Sequence, residues 1–113
     1  TPELMRDLMR ACPALCATID IKHSLFSGYD PIRYIDAVED RLVTVHVTDV
    51  TKEDTTALPG KGRFDFEKLL RDLDRRKLEP AVIIEAYARD FAYLEQLKAA
   101  YDYLRGIAEK QEK

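Results

Sequence analysis

The stretch RLVTVHV, residues 41–47, decides the fold that this sequence predicts. It is rich in Val and Thr, the β-branched residues that favour extended backbone, and so it predicts a β-strand. Two other mostly apolar runs have the length of strands. The first covers residues 14–19 and ends at Asp20, and the other covers residues 81–86 and contains Glu85. We therefore expect three strands.

Helical patterns lie before the first strand and after each of the three. Each pattern is preceded by a residue whose side chain accepts hydrogen bonds from free N–H groups at a helix start, and the first two of these residues are followed by proline. The four predicted caps are Thr1, Asp30, Asp65 and Asp90. Strands that alternate with helices run parallel, so we expect an α/β chain of three consecutive parallel βα units preceded by a helix.

The third strand, residues 81–86, is apolar at nearly every position before Glu85. Strands of parallel sheets are commonly covered on both faces and therefore lack the alternation of apolar and polar residues. This pattern predicts a strand that is buried on both sides.

Composition narrows the class of protein. The 113 residues fit one domain, and the 46% hydrophobic and 35% charged fractions are those of an ordinary globular protein. With 18 basic against 21 acidic residues mixed along the chain, no basic face is expected that would bind nucleic acid. No apolar run reaches the roughly 20 residues that span a bilayer, and the start lacks the pattern of a secretion signal. We expect a cytoplasmic protein without membrane contact.

Three polar residues stand where consecutive predicted strands end: Asp20, His46 and Glu85. The carboxyl ends of parallel strands meet at one rim, which is where active sites of such folds lie. Two carboxylates and one imidazole, with no thiolate, suit Mn²⁺, Mg²⁺, Co²⁺ or Zn²⁺. The sequence predicts a divalent metal site.

Each of these residues also has an ordinary structural interpretation. An Asp after a strand is commonly a turn residue or a helix cap, and a Glu there is commonly solvated. A single His in a strand is more often a core residue with satisfied hydrogen bonds than a ligand. The recurrence of all three at the same place in successive units is what favours a shared site.

Four short motifs carry a family resemblance: IDIKH at residues 19–23, VHVTD at 45–49, LPGKG at 58–62 with FDF at 64–66, and VIIE at 82–85. They resemble the sixth, seventh and eighth strands of the sugar isomerase/epimerase superfamily. That group has xylose isomerase-like TIM barrels and includes ketose 3-epimerases, inosose dehydratases and endonuclease IV. The resemblance implies a partial TIM barrel, with residues 1–113 as a single domain that forms the C-terminal portion of a (β/α)₈ barrel.

The resemblance also implies roles for particular residues. The family holds one catalytic metal with Glu, Asp, His and Glu, of which Asp20, His46 and Glu85 correspond to the last three, while the first Glu has no counterpart here. Glu85 would also be the catalytic acid/base. His23 resembles the histidine that contacts substrate in the epimerases or binds metal in the endonucleases. Arg89 resembles a substrate-binding arginine of some ketose epimerases, and an ordinary surface charge is the alternative for it.

The endonuclease branch differs at one position. Its pattern places Asp, and then His two residues later, before a Gly-x-Gly, to hold further metals. Asp54 has the matching offset, but Thr56 occupies the place of the histidine. The resemblance therefore implies a one-metal site that acts on a small sugar or sugar phosphate, with metal-assisted proton transfer next to a carbonyl.

Three strands cannot close a barrel of about eight, so both sheet edges would be open. The edges would be covered either by the remainder of a longer barrel or by further copies of the chain in a homo-oligomer. A non-catalytic truncated α/β module that self-associates is the alternative function. Whether the isolated chain is an enzyme stays open at this point.

Overall fold

The fold is built on three parallel strands, seen in a computed structural model that describes residues 1–111. They are β1 (Ala17–Asp20), β2 (Leu42–Val47) and β5 (Ala81–Ile84), in the spatial order β1-β2-β5. Both pairings are parallel, with Asp20 opposite His46 and His46 opposite Ile83. The predicted α/β class of three consecutive parallel units is confirmed.

Within residues 1–111, five α-helices accompany the sheet. Their bounds are α1 (Pro2–Ala11), α2 (Ile21–Phe26), α3 (Pro31–Val38), α4 (Phe66–Arg75) and α5 (Leu94–Gln111). Three of the four predicted caps are confirmed, because the side chains of Thr1, Asp30 and Asp65 accept hydrogen bonds from N–H groups in the first turns of α1, α3 and α4. None of the helices within residues 1–111 combines the length and apolar character that crossing a bilayer requires.

The prediction that Asp90 caps the last helix is wrong. Asp90 ends a short 3₁₀ turn, residues 88–90, and its carboxylate accepts a hydrogen bond from the Thr56 hydroxyl. The helix begins four residues later, and the Gln96 side chain accepts hydrogen bonds from the N–H groups of Ala92 and Tyr93 in place of the predicted cap. The hydrogen bond from Thr56, a residue distant in sequence, therefore takes the place of the helix cap that the local sequence favoured for Asp90.

The first strand is also shorter than predicted. Residues 14–16 lie outside β1, and the Arg41 guanidinium donates hydrogen bonds to the carbonyls of Met9, Cys12 and Leu15. This cluster ties the end of α1 and the following turn to the start of β2. Of these three acceptors only the Leu15 carbonyl lies in the predicted strand, and it is bound to Arg41 instead of pairing along the sheet.

The two faces of the sheet differ sharply. Ile19 and Val45 lie side by side on the face that packs against the helices, and both are buried. The opposite face carries the register rows Thr18–Thr44–Ala81 and Asp20–His46–Ile83, because side chains alternate along each strand. None of these six residues is fully buried. No helix within residues 1–111 covers this second face.

The strand β5 is not buried on both faces, contrary to the prediction. Within residues 1–111 it pairs only with β2, and Val82 and Ile83 are 40% and 48% exposed. The sequence signature of a central parallel strand is therefore found at the edge of this sheet. The strand β1 forms the other edge, so both edges are open, as predicted.

A short hairpin that was not predicted follows β2. The strands β3 (Asp49–Val50) and β4 (Thr56–Ala57) pair antiparallel. Asp49 is 1% exposed, and its carboxylate accepts hydrogen bonds from the N–H groups of Gly60, Gly62 and Phe64. One buried side chain thus holds the loop at residues 58–64 against the hairpin.

Replacement of Gly62 by Ala should destabilise the chain by about 1–3 kcal/mol. A Cβ atom there would lie 2.5 Å from both Asp49 Oδ1 and the Val50 carbonyl oxygen. The Val50 oxygen belongs to the backbone, so it could move away only if the hairpin strand shifted with it. The measurement is the free energy of unfolding in urea. Gly106→Ala is the matched control, since a Cβ atom added at this position of α5 would meet nothing within 4 Å, and a gain of about 0.5–1 kcal/mol is expected. Equal effects at the two glycines would contradict the account of the loop.

Candidate metal centre

The three predicted ligands come together at the carboxyl ends of the strands. Asp20 is the last residue of β1, His46 is its register partner in β2, and Glu85 directly follows β5. One ligand atom from each residue can be chosen so that all three lie within 4.8 Å of one another. Such a separation leaves space for one small cation between two hard oxygen atoms and one imidazole nitrogen, so the donor set fits a divalent metal.

Asp20 is both a helix cap and a candidate metal ligand, the two roles that the sequence presented as alternatives. Its Oδ1 accepts a hydrogen bond of 3.0 Å from the His23 N–H and thereby caps α2. Within residues 1–111, no N–H or hydroxyl group donates a hydrogen bond to Oδ2, which is 3.9 Å from His23 Nε2. One oxygen therefore satisfies the helix start, and the other is available to a ligand.

Glu85 is positioned by the backbone of β2 and by its neighbours. Its N–H donates to the Val47 carbonyl, and its own carbonyl accepts a 2.8 Å hydrogen bond from the Thr48 hydroxyl. The carboxylate accepts a 2.5 Å hydrogen bond from the Tyr87 hydroxyl on Oε1, while Oε2 lies 3.6 Å from His46 Nδ1. The Tyr87 hydrogen bond is the largest of the effects that lower the pKa of Glu85 below its ordinary value, so the carboxylate stays ionised at neutral pH.

Lys22 belongs to this centre although sequence reasoning assigned it no role. Its ammonium donates a hydrogen bond to the Tyr87 hydroxyl and lies 3.8 Å from Glu85 Oε1. The side chain is only 14% exposed, and the Tyr87 hydrogen bond raises the pKa of Lys22 above its ordinary value. The helix α2, which begins directly after Asp20, was not predicted from the sequence. Without it, nothing indicated the direction in which the Lys22 side chain points.

The two predicted substrate-binding residues lie at the rim, on different sides of the triad. His23 is 74% exposed and faces Asp20 across 3.9 Å. Arg89 is 69% exposed, and its guanidinium carbon lies 5.0 Å from the centre of the Tyr87 ring. Both side chains are accessible from solvent and close to the centre, and their roles in substrate binding stay predictions.

Thr56, at the position where the endonuclease branch has a histidine, belongs to a different network. Its hydroxyl donates to Asp90 across 2.7 Å and accepts from Arg89 across 3.1 Å. Asp54, at the Asp position of that pattern, is 69% exposed and pairs with Arg63 across 3.0 Å. These two positions hold the loops at the rim instead of forming part of the triad.

A parallel α/β sheet with a carboxylate, an imidazole and a carboxylate at its carboxyl rim is the arrangement that the resemblance implied. The model of the family described as xylose isomerase-like TIM barrel matches residues 1–107. This chain belongs to that family, and its members include sugar isomerases and epimerases.

Two individual proteins are similar to the chain. An inosose dehydratase from Clostridium beijerinckii is 26% identical over a match that covers 59% of this chain and 28% of the relative. The apo crystal structure of the 3-keto-D-glucoside 4-epimerase from E. coli superposes with a TM-score of 0.76 at 19% identity, covering 94% of this chain and 40% of the epimerase. The chain thus spans less than half the length of either protein, and the structural likeness supports the fold alone.

Replacement of Tyr87 by Phe should raise the pKa of Glu85, because the hydroxyl that chiefly stabilises the ionised carboxylate is lost. The measurement is a titration of the Glu85 side-chain carbonyl carbon by ¹³C NMR in metal-free protein. Tyr93→Phe, at a tyrosine that is 70% exposed, is the matched control and should leave that pKa unchanged. An unchanged pKa in the Tyr87 variant would contradict the assigned hydrogen bond.

Proposed function

We propose that this chain provides three metal ligands and one acid/base group of a sugar isomerase or epimerase site. The observation that carries the proposal is the convergence of Asp20, His46 and Glu85 within 4.8 Å at the strand ends of a chain that belongs to the xylose isomerase-like family. The name of the similar inosose dehydratase supports this substrate class.

A divalent ion, Mn²⁺, Mg²⁺, Co²⁺ or Zn²⁺, would be held by Asp20 Oδ2, the His46 imidazole and the Glu85 carboxylate. When bound, it would polarise a substrate carbonyl and make the neighbouring C–H acidic. Glu85 is the group in this chain suited to take that proton and return it, because Tyr87 and Lys22 keep its carboxylate ionised and hold Oε1 in place.

The substrate would be a small sugar or sugar phosphate that approaches from the open rim. His23 and Arg89 stand on either side of the triad with exposed side chains, and both can donate hydrogen bonds to hydroxyl or phosphate oxygens. The fourth ligand and the second acid/base would come from strands outside this chain or from another copy of it.

Titration of the metal-free chain with Mn²⁺ in a calorimeter tests the proposal. Wild type should bind about one ion per chain, since the three ligands form a single site. His46→Ala should weaken binding by at least about 100-fold, because even the loss of a ligand's hydrogen-bond partner costs about 10–100-fold. Circular dichroism would show that the variant is folded.

Asp54→Asn is the matched control for that titration. It removes a carboxylate charge from the rim, but from a residue that is 69% exposed and paired with Arg63 and not with the triad. The control should bind Mn²⁺ as wild type does. Equal Mn²⁺ binding by wild type and His46→Ala would contradict the assignment of His46 as a metal ligand.

The alternative, a non-catalytic module that self-associates, is favoured by one observation: the open edge of β5, where Val82 and Ile83 are 40% and 48% exposed. An apolar strand edge is a template for pairing with another strand. The same edge would be covered in a longer barrel, so the proposal for both arrangements is that further strands pair with β5.

If copies of the chain cover this edge, its molar mass in solution by light scattering should exceed the 13.0 kDa of one chain. Ile83→Lys should then lower the mass toward that of the monomer, because a charge on the strand edge opposes pairing. Leu94→Lys, at a residue that is 75% exposed on α5, should leave the mass unchanged. A monomeric wild type that binds Mn²⁺ would favour the longer barrel and remove support from the self-associating module.

A further inference from the structure

Lys22 is placed unusually for a lysine beside a candidate metal site. Its ammonium lies 3.8 Å from Oε1 of Glu85, a carboxylate that is one of the three candidate ligands. One further contact anchors it, the hydrogen bond to the Tyr87 hydroxyl, which also places the ammonium 4.6 Å from the centre of that ring. The ammonium is therefore a fixed positive charge at the centre.

Burial makes that charge effective. The Lys22 side chain is 14% exposed and that of Glu85 is 30% exposed, so solvent screens their interaction only in part. Half of the other twelve ion pairs within residues 1–111 join two side chains that are each more than 40% exposed, such as Lys98 and Asp102 at 73% and 51%. Lys22 thus differs from an ordinary surface lysine in both anchoring and shielding.

We infer that Lys22 is an internal counter-cation of the triad, which neutralises Glu85 in the absence of metal and weakens the binding of a divalent ion. Any ion that binds Glu85 must approach a carboxylate beside which a positive charge is already held, and the two cations repel. The site would consequently have a lower affinity for its metal than the same three ligands without the lysine. This inference rests on the proposed function, in that it takes the triad to be a metal site.

A merely structural role for Lys22 predicts the opposite change in metal affinity when the lysine is replaced. If the lysine served only to hold Tyr87 and Glu85 in place, its removal would disorder a ligand and weaken metal binding. If it acts as a counter-cation, its removal strengthens metal binding. The direction of the change in affinity therefore separates the two roles.

The test is the dissociation constant for Mn²⁺, measured by calorimetry on the full chain. Lys22→Met keeps the apolar stem and removes the charge, and it should lower the dissociation constant by about tenfold or more, given the strength of unit-charge interactions at such separations. Lys22→Gln, a second neutral variant that can still donate to Tyr87, should do the same. Lys22→Arg retains the charge and should bind like wild type.

Lys98→Met is the matched control, because it removes the same charge from an exposed site on α5. It should leave the affinity unchanged, and an equal gain there would overturn the inference in favour of an effect of net charge. Unchanged or weaker binding in both neutral Lys22 variants would overturn the inference alone, provided that wild type binds Mn²⁺ and His46→Ala does not. Absence of binding in wild type and in both neutral variants would overturn the proposed function together with the inference.

Discussion

The parallel register between the three strands is the constraint on which the centre depends. Asp20 lies opposite His46, and Glu85 follows the strand whose Ile83 lies opposite His46. Because side chains alternate along a strand, this register puts Asp20, His46 and Glu85 on the same face of the sheet. A slip of one residue in either pairing would send one ligand to the helix-covered face, where Ile19 and Val45 are buried. The apolar packing of the helices against that face therefore also fixes the positions of the polar groups on the other.

Around this register, single side chains serve two purposes. Asp20 caps α2 with one oxygen and leaves the other for a ligand, and Tyr87 accepts from Lys22 while it donates to Glu85. Asp49, a few residues beyond His46, uses its whole carboxylate to organise the loop at residues 58–64. Hydrogen bonds between loops thus stabilise the rim, together with the burial of Val50 and Leu58.

The exposed face and the two open edges connect the fold to its family. In a closed barrel the face that carries Thr18, Thr44 and Ala81 would point inward, opposite the face that the helices cover. The match over residues 1–107 and the 40% coverage of the structural neighbour agree with a chain that has the strands of one part of such a barrel. The exposure of Val82 and Ile83 then follows from the number of strands present and not from any weakness of the strand itself.

Local patterns in the sequence determined most of the elements and the three candidate ligands. Strand and helix periodicity, the caps at Thr1, Asp30 and Asp65, and the polar residue at each strand end depend on neighbours a few positions away, which sequence shows directly. Only the tertiary structure decided the roles of Asp90, Lys22 and Tyr87. Asp90 is bound by Thr56, and Lys22 reaches Tyr87, which is 65 positions further along the chain. Such contacts depend on how loops and short helices turn at the rim, and no local propensity encodes the meeting of two distant side chains.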